Sequence, residues 1–178
     1  MAGAKTETTI GVQRHAGEPA VDWGRAYALH AAALLRYLQR LSRDPGTAED
    51  LMHDTFERAA RASRVPVVEA ELRPWLYRIA TNLAVDHMRR RRRLAFRPFS
   101  GRELYERPAF DSDADAVRRA LQRIPVVQAA ALVLRLHEGF SRAEIAELTG
   151  VTERAVKDRL ERGRENFARA YRAEVGQP

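Results

Sequence analysis

The chain has 178 residues, with 31 lysines and arginines against 24 aspartates and glutamates, for a formal charge of +7. That balance favours a polyanionic partner, either nucleic acid or an acidic membrane surface. The absence of cysteine excludes disulfides, thiol catalysis and the common structural zinc sites, and it fits a reducing cytoplasm.

No apolar run approaches the roughly 20 residues that cross a bilayer, so membrane insertion is not expected. Residues 1–20 are polar and small, without the apolar centre of a signal peptide, and read as a flexible tail. Beyond them Ala, Leu, Arg and Glu dominate with an apolar period near 3.6, so the fold class is all-α.

A first helix is expected from about Val21 to Leu41, with Leu34, Leu35, Leu38 and Leu41 as its stripe, and Asp44-Pro45-Gly46 breaks it. Thr47 and Asp50 are read as caps of a second helix, whose apolar side is Leu51, Thr55, Phe56 and Ala59. Its other side carries Glu49, Asp50, His53, Asp54 and Glu57. This patch is either a set of helix N-terminal charges on a wet surface or a docking face for a partner.

Residues 61–73, which include Arg64, read as a loop broken by Pro66, with Pro74 in the first turn of the next helix. That helix is expected to run to about Leu94. Leu76, Ile79, Ala80, Leu83 and His87 form its buried stripe, and His87 reads as a packed histidine rather than a ligand. The opposite face presents Arg78, Thr81, Asn82, Val85, Arg89 and Arg92, and the helix ends in the run Arg89–Arg93. A solvated flank would explain arginines alone. Arg, Asn and Thr combined over four turns point to nucleic acid. Trp75 suits core packing, or stacking on an unpaired base.

Residues 96–112 hold two prolines and no sustained period, and read as a flexible linker. Phe96, Phe99, Tyr105 and Phe110 are unusual for a solvated tether and suggest docking on a partner or between domains. Asp113 opens the last block. Val117, Leu121 and Ile124 mark one short helix stopped by Pro125. Ala130, Leu132, Val133 and Leu136 mark another that ends at Gly139.

Ser141 and Glu144 then form a capping box, Gly150 supplies a turn, and Thr152 caps a final helix with Val156, Leu160, Gly163 and Phe167 on one face. Two short helices around a glycine turn describe a DNA-reading helix-turn-helix, although ordinary bundles contain the same pattern. The outward side of the last helix offers Arg154, Lys157, Asp158, Glu161 and Arg162. Such a mixed face is either solvated or able to read bases, since a carboxylate accepts from the cytosine amino group. The expected organisation is therefore a tail over 1–20, a helical domain over 21–95, a linker over 96–112 and a helix-turn-helix domain over 113–178.

Three stretches, in this order, resemble the extracytoplasmic-function (ECF) sigma factors of bacterial RNA polymerase. Ala48-Glu49-Asp50-Leu51-Met52-His53-Asp54-Thr55-Phe56 is similar to the family's clamp-binding helix. Pro74-Trp75-Leu76-Tyr77-Arg78-Ile79-Ala80-Thr81-Asn82 and the residues up to Arg90 are similar to its helix for the −10 promoter element. Leu136 to Val151, with Val156-Lys157, is similar to its −35 reader. The resemblance spans about residues 25–170.

It implies a promoter-specificity subunit with no catalysis, no cofactor and no metal, working in the cytoplasm. Glu49, Asp50, His53, Asp54 and Glu57 would dock on the clamp of the polymerase's largest subunit, and the second domain would lie at its flap. Arg64, Trp75, Arg78, Asn82, Arg89, Arg90 and Arg92 would serve the −10 element and melting. Loop 61–73 would capture a flipped base, and the linker would thread near the RNA exit path. Arg154, Lys157, Asp158, Glu161 and Arg162 would face the −35 major groove. An anti-sigma factor is the regulatory partner the family implies.

The chain departs from the family pattern at Ile124-Pro125-Val126-Val127-Gln128-Ala129, which lacks an expected arginine, and at Ala155, Asp158 and Gly163. A stand-alone helix-turn-helix regulator would need a dimerisation helix, and none is evident. A helical enzyme would need a nucleophile–base pair or a phosphate loop, and none is legible. A membrane-surface role for the arginine run would need an aromatic opposite face.

Overall fold

The computed structural model describes residues 21–42, 44–95 and 113–176, and these contain seven helices and no strand. The expected tail over 1–20 and the linker with Phe96, Phe99, Tyr105 and Phe110 lie outside the described residues. The helices are α1 (Trp23–Leu41), α2 (Pro45–Ala60), α3 (Glu69–Ala95), α4 (Asp113–Arg123), α5 (Val126–Leu136), α6 (Arg142–Thr149) and α7 (Glu153–Glu174).

Local chemistry sets most boundaries. The Asp22 carboxylate accepts from the Arg25 N–H at 3.0 Å and starts α1. Asp44, not Thr47 or Asp50, caps α2. Pro45 takes the first helical position, and both the N–H and the hydroxyl of Thr47 donate to the Asp44 carboxylate, at 2.6 and 2.8 Å. Helix α3 begins five residues before Pro74. The Val68 carbonyl accepts from Glu71 and Leu72, Glu69 and Glu71 sit at the positive end of the helix dipole, and Leu72 is buried. Pro74 therefore lies inside α3, past its first turn, where its ring removes the i→i−4 hydrogen bond that a residue at this position would otherwise donate. The expected loop over 61–73 shrinks accordingly.

Helices α1, α2 and α3 pack on one another, and α4, α5 and α6 pack on α7. The two groups also touch, α3 against α5 and α6, and α1 against α4 and α5. The buried apolar residues form one connected cluster, in which Leu34, Leu38, Leu76 and Leu134 have no exposed surface. Each contributes about 1.5–3 kcal/mol of transfer free energy.

Two expected stripe positions lie outside the core. Val117 is 38% exposed, and Ala116 and Ala120 fill the place expected for it. Leu136 is 68% exposed at the last turn of α5, whose residues 129–134 are already buried around the helix. Gly163 sits where α7 crosses α5, and a Cβ there would lie 3.3 Å from Leu132 and 3.4 Å from Gln128. The missing side chain permits the close approach.

Candidate nucleic-acid interface

Three separate faces carry the candidate residues. The first is the outer side of α3. Arg78 and Asn82 are exposed one turn apart, and Arg89 and Arg90 continue the same helix, also exposed. Arg92 lies on α3 as well. Thr81, expected on this face, is instead 3% exposed, and it faces the core with its hydroxyl 2.8 Å from that of Tyr37. One residue of helix rotation separates it from Asn82, which is enough to turn it inward. His87 is half-buried. Burial first, and then Arg91 and Arg90, hold its imidazole below the usual pKa, which favours the neutral ring.

Beside this face is a cleft of about 380 Å³, lined by Arg58, Ala62, Ser63, Arg64, Trp75, Arg78, Ile79 and Asn82. It contains three guanidinium groups, an indole and an amide, and no carboxylate. Trp75 is partly buried, packed on the core at one side and bordering the cleft at the other, so packing and stacking are compatible. Loop 61–68 closes one edge. Arg58 belongs to this cleft and was not legible as such. Its signal is the change of sign at the end of α2 and into the loop after it, acidic up to Glu57 and then Arg58, Arg61 and Arg64.

The second face is α7, which the helix-turn-helix presents outward. The Ser141 hydroxyl accepts from the Glu144 N–H at 3.1 Å, and the Glu144 carboxylate accepts from the Ser141 N–H at 2.7 Å. The Ser141 hydroxyl first, and then the Ser141 N–H, hold the Glu144 carboxyl below the usual carboxylate range. Gly150 takes φ 65°, a conformation that disfavours other residues, and the Thr152 hydroxyl accepts from the Ala155 N–H at 3.2 Å. Val156 and Leu160 are buried beneath, which fixes the helix rotation and leaves Arg154, Lys157, Asp158, Glu161 and Arg162 exposed together. Lys157 lies 3.7 Å from Glu161 in an exposed pair of small energetic weight.

The third face is the outer side of α2. Glu49, Asp50, His53, Asp54 and Glu57 are all exposed, and beside them Tyr27 of α1 packs against Phe56 at 4.9 Å and stacks on His53 at 6.5 Å. The structure places the acidic set on α2 and the mixed-charge set on α7, whereas the set around α3 draws Arg64 from loop 61–68. Among the described residues no three His, Asp or Glu side chains converge as a metal site, and no helix is long and apolar enough to cross a membrane.

Comparison with known proteins follows the same division. The family model of Sigma-70 region 2 matches residues 26–94, and that of Sigma-70, region 4 matches residues 114–167. The chain is 35% identical over 143 residues to the ECF RNA polymerase sigma factor SigM of Mycobacterium tuberculosis, covering 79% of this chain and 72% of the relative. It is 34% identical over 148 residues to the RNA polymerase sigma factor CarQ of Myxococcus xanthus, covering 79% and 84%. Among solved structures, the sigma factor RpoE in complex with the anti-sigma factor NepR from Bartonella quintana matches with a TM-score of 0.64 and 25% identity, over 84% of this chain and 96% of that one.

Proposed function

The chain belongs to the ECF RNA polymerase sigma factors, and on that premise we propose how its three faces divide the work of transcription initiation. A protein of this kind performs no catalysis. It directs RNA polymerase to promoters and starts transcription there.

Residues 21–95 form the unit that holds polymerase and the −10 element, and residues 113–178 form the −35 unit. On α2, Glu49, Asp50, His53, Asp54 and Glu57 dock on the clamp of core polymerase. On α3, Arg78, Asn82, Arg89, Arg90 and Arg92 track the −10 strand, with Arg64 and Trp75 at the cleft. On α7, Arg154, Lys157, Asp158, Glu161 and Arg162 enter the −35 major groove, with the second unit at the polymerase flap.

The observation that carries the reading is the carboxylate-free cleft against α3. Extruding a base costs a few kcal/mol. Stacking on an aromatic ring returns about 1–3 kcal/mol per base, and Arg58, Arg64 and Arg78 neutralise the flanking phosphates. An exposed cleft of this composition favours single-stranded over duplex DNA, because a paired base presents no free face to Trp75. The work takes place in the cytoplasm, and an anti-sigma factor, as seen with RpoE, is the expected regulator.

Transcription with purified core polymerase on a genomic template library, with and without this protein, tests the reading. Promoter-dependent transcripts that need the protein are expected. Absence of such transcripts together with failure to co-purify with core would overturn it.

A further inference from the structure

A second cleft, of about 420 Å³, lies between α3 and the second helix group. Three arginines from three helices border it: Arg58 near the end of α2, Arg89 on α3 and Arg159 on α7. Arg159 is half-buried, and among the described residues its side chain has no hydrogen-bond or ion-pair partner. Other half-buried arginines are matched. Arg40, Arg73, Arg118 and Arg119 each have an oxygen acceptor: the Arg36 carbonyl at 3.0 Å, the Glu138 carbonyl at 2.8 Å, the Asp115 carboxylate, and the Glu174 carboxylate at 2.6 Å. Arg58 and Arg89 are exposed and, among the described residues, equally unpaired. A half-buried guanidinium that shares a cleft with two like charges and has no acceptor is costly, and an anion in the cleft removes that cost.

The rest of the lining narrows the choice of anion. Asp86 of α3 is the cleft's one carboxylate, and Thr149 at the end of α6 also borders it. The Thr149 hydroxyl donates to the Ile145 carbonyl at 2.7 Å, so toward the cleft it can only accept, as can a carboxylate. Both therefore call for a ligand that brings donors as well as phosphate. A ribose with free 2′- and 3′-hydroxyls supplies them. A DNA strand does not, because it lacks the 2′-hydroxyl and its 3′-oxygen is esterified. Val85 of α3 with Val127 and Ala130 of α5 adds an apolar wall.

We propose that this cleft binds a nucleoside di- or triphosphate, with its phosphates on Arg58, Arg89 and Arg159, its ribose hydroxyls on Asp86 and Thr149, and its base on the apolar wall. Planar guanidinium forks grip phosphate oxygens in pairs. The volume falls within the range of about 300–1,000 Å³ usual for small-molecule sites, and pyrophosphate alone would leave the apolar wall uncovered. Aliphatic side chains do not tell one base from another, so guanine and adenine are accepted alike. The site stands apart from the promoter reading. Its consequence rests on that reading: Arg89 belongs to the −10 set, so a bound nucleotide withdraws it from the promoter strand.

Isothermal titration of the full-length chain in magnesium-free buffer tests this with GDP, ADP, 2′,3′-dideoxyGDP and inorganic pyrophosphate. GDP and ADP are expected to bind once per chain with micromolar affinity, within about threefold of each other. DideoxyGDP and pyrophosphate should each bind at least about tenfold more weakly. Arg159→Ala should weaken GDP binding by about tenfold or more. Arg159→Lys, which keeps the charge and loses the fork, should fall between. Arg169→Ala, which removes an exposed arginine elsewhere on α7, should match the wild type.

No saturable GDP binding by the wild type overturns the site. So does GDP binding as tight as wild type in Arg159→Ala at unchanged helix content by circular dichroism, or an equal loss in Arg169→Ala, which would mark diffuse charge. If Arg159→Ala loses helix content, Arg159→Lys decides in its place. Pyrophosphate or dideoxyGDP bound as tightly as GDP overturns the nucleotide assignment. A wild-type chain that yields no promoter-dependent transcript overturns the promoter reading instead, and the titrations still decide the site.

Discussion

The hydroxyls of Tyr37 and Thr81 lie 2.8 Å apart at the buried contact between α1 and α3. The Thr81 hydroxyl also sits 2.6 Å from the Tyr77 carbonyl, which can only accept, so Thr81 donates there. The Tyr37 proton therefore goes to Thr81, and the chain Tyr37 to Thr81 to Tyr77 backbone has one direction. Burial pushes the Tyr37 phenol well above its ordinary value, which keeps that proton in place. Tyr37→Phe should destabilise the chain by about 1 kcal/mol, and Thr81→Val by about 1–3 kcal/mol because it strands a buried phenol. Urea denaturation of the full chain measures both. A smaller loss for Thr81→Val than for Tyr37→Phe would refute the direction assigned.

Two helix caps make the fold acid-sensitive. Asp44 accepts from the backbone and the hydroxyl of Thr47, and Glu144 accepts from Ser141, so both carboxyls are held below their ordinary values. A group whose folded-state pKa is depressed adds stability above its unfolded value, and that stability is lost as pH falls through the folded value. The melting temperature should therefore fall as pH drops below about 4, near the ordinary range for Asp and Glu. An Asp44→Asn, Glu144→Gln double variant should show a flatter pH dependence. An unchanged slope in the double variant would show that other carboxylates carry the effect.

Much of this architecture is legible in the residue pattern, because caps and stripes are local. Ser141, Glu144, Gly150 and Thr152 mark the helix-turn-helix by their own hydrogen-bonding chemistry, and Leu34, Leu38 and Leu41 mark the core side of α1. What escapes is set by neighbours far away in sequence. Thr81 reads as open-faced until Tyr37, 44 residues earlier, claims its hydroxyl. Leu136 reads as core by period, yet the helix ends before any neighbour covers it. Glu138 reads as turn polarity, and only its meeting with Tyr77, 61 residues earlier, gives it a role. Arg58 was hidden because α2 reads as one acidic face, whereas its last turn borders the cleft of α3.

On α2, Asp50 is exposed, and among the described residues no hydrogen bond or ion pair holds it. Reversing its charge should therefore leave the fold intact. Asp50→Arg is expected to abolish association with core polymerase in co-purification while circular dichroism and the denaturation midpoint stay within about 0.5 kcal/mol of wild type. Normal core affinity would remove α2 from the polymerase-binding surface and leave its acidic cluster as a solvated flank.

The neighbours Lys157 and Asp158 on α7 are both exposed but should fail differently. A lysine that meets phosphate gives affinity without sequence information. Lys157→Ala in holoenzyme should weaken binding to all promoters alike and lower the salt slope by about 1. Its exposed pairing with Glu161 costs little to give up when a phosphate is offered. A carboxylate gains nothing from phosphate and is tolerated in a groove only where a base amino group donates to it. Asp158→Ala should therefore leave the salt slope unchanged or steepen it, and relax preference at one position of the −35 element by about 1–3 kcal/mol. Selection from a randomised −35 library by wild-type and variant holoenzyme reads this directly. Preference unchanged at every position would take Asp158 out of base reading and pass the role to Glu161 or Arg154.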